Sequence, residues 1–415
     1  MTRHLAILRI YINFELKFFT MNKTKYLLTF IIAGFVLISA NPDNTKRKES
    51  GKSISVFETI ALSLKLKTPV DTFHNDLASV IAAQVPIKHF KQIEQKNFWP
   101  KFQKAVKTDW DTVCHYKIKP IKKWTDSLTL KPATDSNTLF YPFAGADFLY
   151  ANSFFPNARN YILVGLEPVG KLNNLDSLNA NSLERYLFKI EHSLYFSNKL
   201  GFFRTQSMRS QLNQYDLNGT IHLLTFYIKR CGYTISGINY IELDSTGNEK
   251  FYDRKNKTKP YGLRIDFCDT NREKPQTLYY FSYNIADDYL AAHPELLLFA
   301  KKFGKQSTFL KAASYLMHGS AFSKIRNYII ENSDLVLQDD SGIPFKAFEN
   351  NLWDIKLFGT YTRTIPLFAH RFQPDLKKAI SESPYKGKVP FRIGYNVTHK
   401  EVNLLYATKK ANENK

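Results

Sequence analysis

The sequence predicts an α/β protein: a mixed, largely central sheet flanked by helices, its first half Rossmann-like, with a helical layer ahead of it. Three observations carry that expectation. Residues 138–170 read as an apolar strand, a small-residue turn, a helix and a second apolar strand, a unit that pairs its strands in parallel through a right-handed crossover. Residues 233–283 hold three strand-like runs with no room for helices between them, so those strands pair antiparallel. A hydrophobic content of 44% and an aromatic content of 15% in 415 residues supply core for one large or two ordinary domains and exclude wholesale disorder.

Met21 opens a stretch with the features of a secretory signal. Lys23 and Lys25 form a basic start, residues 27–39 an apolar run, and Ala40 precedes the polar Asn41-Pro42. The apolar run falls short of the roughly 20 residues that span a bilayer. Residues 1–40 are therefore expected to be leader and signal, with Met21 fitting as the true start, and the protein to be exported to the periplasm or beyond. A retained anchor is the alternative, and would be the chain's one membrane contact. A polar linker at 41–53, a helical subdomain at 54–130, an α/β domain at 131–407 and a frayed polar tail at 408–415 complete the expected organisation. Cys114, Cys231 and Cys268 show no metal-ligand or CxxC spacing; an oxidising compartment permits one bridge, and three small buried hydrophobes is the plainer reading.

The formal charge of +21 suits an anionic environment such as an acidic polysaccharide, a lipid surface or nucleic acid. No recognisable binding module accompanies it, which argues against specific nucleic-acid recognition. The expected partners are an anionic envelope polymer or a small-molecule ligand.

Along the chain, 56–66 and 71–83 have apolar residues at helical spacing. Residues 98–115 repeat it with Trp99, Phe102, Val106, Trp110 and Val113, and Pro120 restarts the chain into 121–128. Helices are expected at 181–200, 203–212 and 220–230, with His222 in an apolar face. Strands follow at 233–243, 262–267 and 277–283, around a basic loop at 254–260. Asp287-Asp288 read as helix-cap residues before a helix at 294–303. Helices at 308–317, 322–330 and 372–381 and strands at 334–337, 353–360 and 389–393 are expected next, and a strand at 402–406 pairs at the sheet edge.

Two stretches carry candidate chemistry. In the first, Ala144-Gly145-Ala146 make a turn open to close approach, Asp147 stands at a helix N-cap, and Glu167 follows the second strand. This pattern resembles the opening of Rossmann-like methyltransferases and dinucleotide-binding folds. The resemblance implies that Gly145 approaches the cofactor and Glu167 bonds ribose hydroxyls. The plainer reading makes Asp147 a cap and Glu167 a turn residue before Pro168. In the second stretch, Gln338-Asp339-Asp340-Ser341-Gly342 closes a strand, where α/β proteins place ligand and catalytic groups. Asp339 and Asp340 are candidates for cation binding or general base, Ser341 for nucleophile, and His318 for its base. Without them the segment is an Asp-Ser-Gly turn bonding its own backbone. FYPF, GLEPVG and QDDSGIP together also resemble a family of uncharacterised exported bacterial proteins, a resemblance that spans most of the mature chain and implies no activity.

Three functions follow as expectations. The first is an exported envelope protein binding an anionic or carbohydrate-like ligand. The second is a hydrolase using Asp339–Ser341, and the third a Rossmann-like enzyme or degenerate relative using Gly145 and Glu167 with S-adenosylmethionine or a dinucleotide. The sequence names no cofactor and gives no metal-ligand pattern.

Overall fold

Alternation of apolar side chains sets the architecture. The computed structural model describes residues 67–127, 137–200, 217–253, 259–386, 389–397 and 401–410, all within one compact unit, Lys65–Lys415. The expected signal, linker, helices at 56–66 and 203–212, most of the basic loop and the last tail residues lie outside the described residues.

The strands are β1 (Thr138–Tyr141), β2 (Asn160–Gly165), β3 (Thr234–Leu243), β4 (Glu249–Phe251), β5 (Gly262–Cys268), β6 (Pro275–Ser282), β7 (Gln306–Leu310), β8 (Ser333–Gln338), β9 (Trp353–Gly359) and β10 (Asn403–Lys409). They join in one ten-stranded sheet of order β4-β3-β5-β6-β2-β1-β7-β8-β10-β9. The five neighbours β6, β2, β1, β7 and β8 pair in parallel. β5, β3 and β4 extend one side antiparallel, and β10 lies antiparallel between β8 and β9 on the other.

Each central strand sends alternate side chains to opposite faces. Leu139, Tyr141, Tyr161, Leu163, Tyr280 and Phe309 enter one core, while Phe140, Ile162, Val164, Phe281 and Leu310 enter the other. The first core is covered by α1 (Thr72–Ile81), α2 (Trp99–Val113), α3 (Lys119–Ser127), α4 (Phe148–Phe154), α5 (Ala180–Leu200) and α6 (Ile221–Arg230). The second is covered by α7 (Asp287–Ala292), α8 (Glu295–Lys301), α9 (Ser323–Asn332) and α10 (Pro374–Glu382). A sheet buried on both faces explains why its central strands read as near-continuous apolar runs.

In chain order the parallel strands are arranged 3-2-1-4-5, the doubly wound order. Helices after β1 and β2 cover one face, and those before and after β7 cover the other. The chain reverses its winding between β1 and β7, the switch point at whose strand ends doubly wound sheets place their ligands.

Four expectations are corrected. Residues 308–317 are not a helix: β7 occupies their start, and Ala312, Ser314 and Tyr315 then take left-handed backbone angles. Residues 389–393 form no strand. β10 is one strand in from the edge, since β9 lies outside it. Pro120 does not break the helix, because a π turn at Cys114–Ile118 joins α2 to α3. The wider turn accommodates a residue that has no N–H to give its helical acceptor. Trp99 and Trp124 are core, as their helical spacing leads one to expect.

Candidate functional site

The turn after β1 is shaped by two left-handed residues, Phe143 (φ 63) and Gly145 (φ 55). Ala144 N–H donates to the Val164 carbonyl at 2.7 Å and ties the turn to β2. Asp147 then caps α4, accepting from Tyr150 N–H at 3.3 Å. Its other oxygen accepts from the Tyr141 hydroxyl at 2.9 Å and lies 2.5 Å from Lys311 Nζ. Asp147 is therefore both a cap and half of a buried ion pair.

Lys311 is the first residue after β7, and its Nζ sits 3.7 Å from the centroid of the Tyr150 ring. Burial lowers its pKa while Asp147 pulls it back up. A second amine, Lys117 from the π turn, approaches the same ring at 5.7 Å. Burial and the Lys311 charge bring Lys117 down to about 8, with Asp147 opposing. Burial and Asp147 hold the Tyr141 phenol far above its usual value, so it stays a donor.

The loop after β7 is held against the turn after β8. Ala312 N–H donates to Asp339 Oδ2 at 2.9 Å, Ala313 N–H to Ser341 Oγ at 2.8 Å, and Tyr315 N–H to the Ser341 carbonyl at 3.1 Å. Three bonds of this kind stabilise the left-handed angles at Ala312, Ser314 and Tyr315; such strain tends to collect at functional edges. Asp339 and Ser341 are 2% and 0% exposed, and Ser341 gives both its N–H and its O–H to Asp339 Oδ1. Asp340 accepts from the Tyr315 hydroxyl and from Asn403 Nδ2. Both carboxyls are raised, chiefly by burial, and Asp340 further by the charge of Asp339.

His318 borders this network through Tyr315 and the Gly342 backbone and not through Ser341. Its ring centroid is 5.2 Å from that of Tyr315, and its Nε2 is buried with no hydrogen-bond partner. Burial and Arg371 push it down to about 4. Among the described residues it forms no hydrogen bond with Ser341 or Asp339. The Ser341 hydroxyl is committed at both ends, so the geometry makes it a staple between two loops.

Glu167 lies two residues after the end of β2. It is 2% exposed, and a methyl group placed on Gly165 would lie 2.6 Å from its Oε2 and 2.9 Å from Gly145 Cα. The absence of a side chain at Gly165 leaves room for this carboxylate beside the Gly145 turn. Tyr280 donates to the Glu167 backbone carbonyl at 2.7 Å, but among the described residues no hydrogen bond or ion pair reaches the carboxylate itself. Gly145 and Glu167 therefore border the same space at Gly165, and Lys311 links the turn after β1 to Asp339.

Sequence reasoning missed Lys311, Lys117, Tyr141 and Tyr150. Lys311 interrupts an apolar run directly after a strand, a signal masked by reading the segment as helix. Lys117 carries no signal without the π turn. Among the described residues no group of three or more His, Cys, Asp or Glu is gathered to hold a metal ion, and no helix is long and apolar enough to cross a membrane. The three cysteines are free. No family model matches the chain, and neither a curated protein nor a solved structure matches it.

Proposed function

We propose that this is a Rossmann-like protein that binds a small hydroxyl-rich ligand, nucleoside- or carbohydrate-like, in the crevice where β1 and β7 diverge. The observation that carries the reading is the Glu167 carboxylate, which borders the space a Gly165 side chain would fill beside Gly145 and receives no hydrogen bond or ion pair among the described residues. A carboxylate with no protein donor has its acceptor sites open to the hydroxyl groups of a ligand. A vicinal diol supplies two donors at the spacing one carboxylate accepts.

The strand order supports the location, since ligands of doubly wound sheets sit at the switch point. Fold alone does not give an activity, so the proposal rests on the site. S-adenosylmethionine or a dinucleotide would place its ribose at Glu167. The expected export favours a carbohydrate-like ligand from the envelope, drawn by the basic surface.

The test is a thermal-shift and calorimetric titration of the full chain with adenosine, S-adenosylmethionine, NAD and a set of neutral and acidic oligosaccharides. One of them should stabilise the protein, by about 2.7 kcal/mol at a hundredfold excess over Kd. Glu167→Gln should abolish the effect. No shift with any of them at millimolar concentration would sink the reading, as would a shift that Glu167→Gln leaves intact. Acidic oligosaccharides should bind with strong salt dependence if the surface charge contributes.

A further inference from the structure

We propose that Lys117 is a nucleophilic amine that captures a carbonyl carbon, of an aldehyde or ketone, in a ligand held at the switch-point crevice. This rests on the location proposed above and adds a reactive group to it.

The backbone places the residue. α2 and α3 are one continuous helical run except for the π turn Cys114–Ile118, which contains Lys117. A π turn inserts one extra residue per turn and changes where the following side chains point, and such turns recur at functional sites. Here the half-buried Lys117 side chain reaches inward, over the face of Tyr150.

The surroundings set its chemistry. Among the charged and titratable groups facing it are Lys311 from the end of β7, with Asp147 and Tyr150 from α4. Lys311 is 3% exposed and fixed to Asp147, so its positive charge cannot swing away. That single carboxylate also accepts from Tyr141 and caps α4. Two ammonium groups thus approach one ring, with Asp147 between them and Asp339 acting on Lys311. A lysine that is desolvated and next to a second cation is activated as a nucleophile, because its protonated form is the one penalised. With its pKa brought down to about 8, about a tenth of Lys117 is free amine at pH 7. An ordinary lysine is free in roughly one molecule in two thousand.

The step balances without a redox partner. The amine lone pair forms a C–N bond as the carbonyl π pair moves onto oxygen. The resulting carbinolamine loses that oxygen with the two amine hydrogens as water, leaving an imine on Lys117. The Tyr150 phenol, raised by burial, stays neutral and does not repel the developing alkoxide.

The experiment is reductive alkylation of the full-length chain by formaldehyde and cyanoborohydride between pH 6 and 10, with modification at each lysine resolved by peptide mass spectrometry. Lys117 should modify with a midpoint near 8. At pH 7 it should react at least about tenfold faster than the exposed Lys107. Lys311→Gln should raise the midpoint by about a unit or more. A Lys117 midpoint alongside that of Lys107, or no modification at any pH, overturns the proposal, and wild-type protein alone decides this if Lys311→Gln does not fold. An unchanged midpoint in a folded Lys311→Gln protein also overturns it. None of these readouts needs the diol ligand, so failure here is distinct from failure of Glu167→Gln to affect binding.

Discussion

Lys311 Nζ lies 2.5 Å from Asp147 Oδ2, and this contact joins the end of β7 to the turn after β1 across the switch point of the sheet. Both residues are 3% exposed. Desolvating two charges costs about as much as their attraction returns, so such a pair does more to fix geometry than to add stability. Here it fixes the position of a cation beneath the Tyr150 ring and beside Asp339.

Breaking one half of the pair should therefore be costly, and removing both halves much less so. Lys311→Met leaves the Asp147 carboxylate buried without its directly bonded cation and is expected to cost about 3–5 kcal/mol in urea unfolding. Combining it with Asp147→Asn should recover much of that loss. A single-substitution cost below about 1 kcal/mol would mean that the two charges are solvated in solution.

The Asp339–Asp340 turn makes a prediction of the opposite sign with pH. Burial raises the folded pKa of Asp340, so the folded state keeps a proton that the unfolded state has released. Its contribution is fully present below the unfolded carboxylate pKa and is lost as pH rises through the folded value. Asp340→Asn retains two polar atoms for Tyr315 and Asn403 while removing the titration. Between about pH 4 and 8 the wild type should lose roughly 1 kcal/mol or more relative to Asp340→Asn, read from denaturation midpoints across that range. Parallel pH profiles would show that Asp340 is not the group responsible.

How much of this was legible in the sequence depended on whether local pattern and tertiary position agreed. β1 and β2 were readable because two-sided burial makes them unbroken apolar runs, and Asp147 because an acid before a helical run is a cap wherever it lies. β7 was not: Phe309, Leu310, Ala313 and Met317 fall at helical spacing, and the left-handed angles that end the strand sit on Ala312, Ser314 and Tyr315 rather than on glycines. Losing β7 hid both the switch point and Lys311. Ser341 and His318 looked like a pair because their residue types suit each other, but a type match carries no distance, and the Ser341 hydroxyl is held by Asp339 and Ala313 N–H instead.

His222 gives an acid-side prediction. It is fully buried on α6, its Nδ1 hydrogen-bonded to the Tyr186 hydroxyl at 2.7 Å and its Nε2 without a partner. Burial pushes its pKa down to about 4. The neutral ring is what the fold accepts, so its contribution is intact above the unfolded value near 6.5 and is lost as pH falls towards 4. The loss is expected to be about 3 kcal/mol, and His222→Gln should flatten that part of the stability profile by close to one proton. A variant with the wild-type slope would assign the acid sensitivity elsewhere, His318 being the next group to test.

Gly165 is where the fold and the proposed site depend on the same missing side chain. A Cβ there would lie 2.6 Å from Glu167 Oε2, 2.9 Å from the Tyr280 hydroxyl and 2.9 Å from Gly145 Cα. The Glu167 carboxylate can swing aside, but the Gly145 backbone is anchored through Ala144 to β2 and cannot. Gly165→Ala is therefore expected to cost about 1–3 kcal/mol from overpacking and to displace Glu167 from the turn. Adding Glu167→Ala removes one of the three clashes and should recover only part of that stability. The informative comparison is with Glu167→Gln, which leaves the packing intact. If the crevice takes a diol through this carboxylate, Gly165→Ala and Glu167→Gln should both lose the ligand-induced thermal shift, while only Gly165→Ala lowers the unliganded melting temperature by several degrees. Retention of the ligand shift in Gly165→Ala would place the binding contact somewhere other than the Gly145–Glu167 turn.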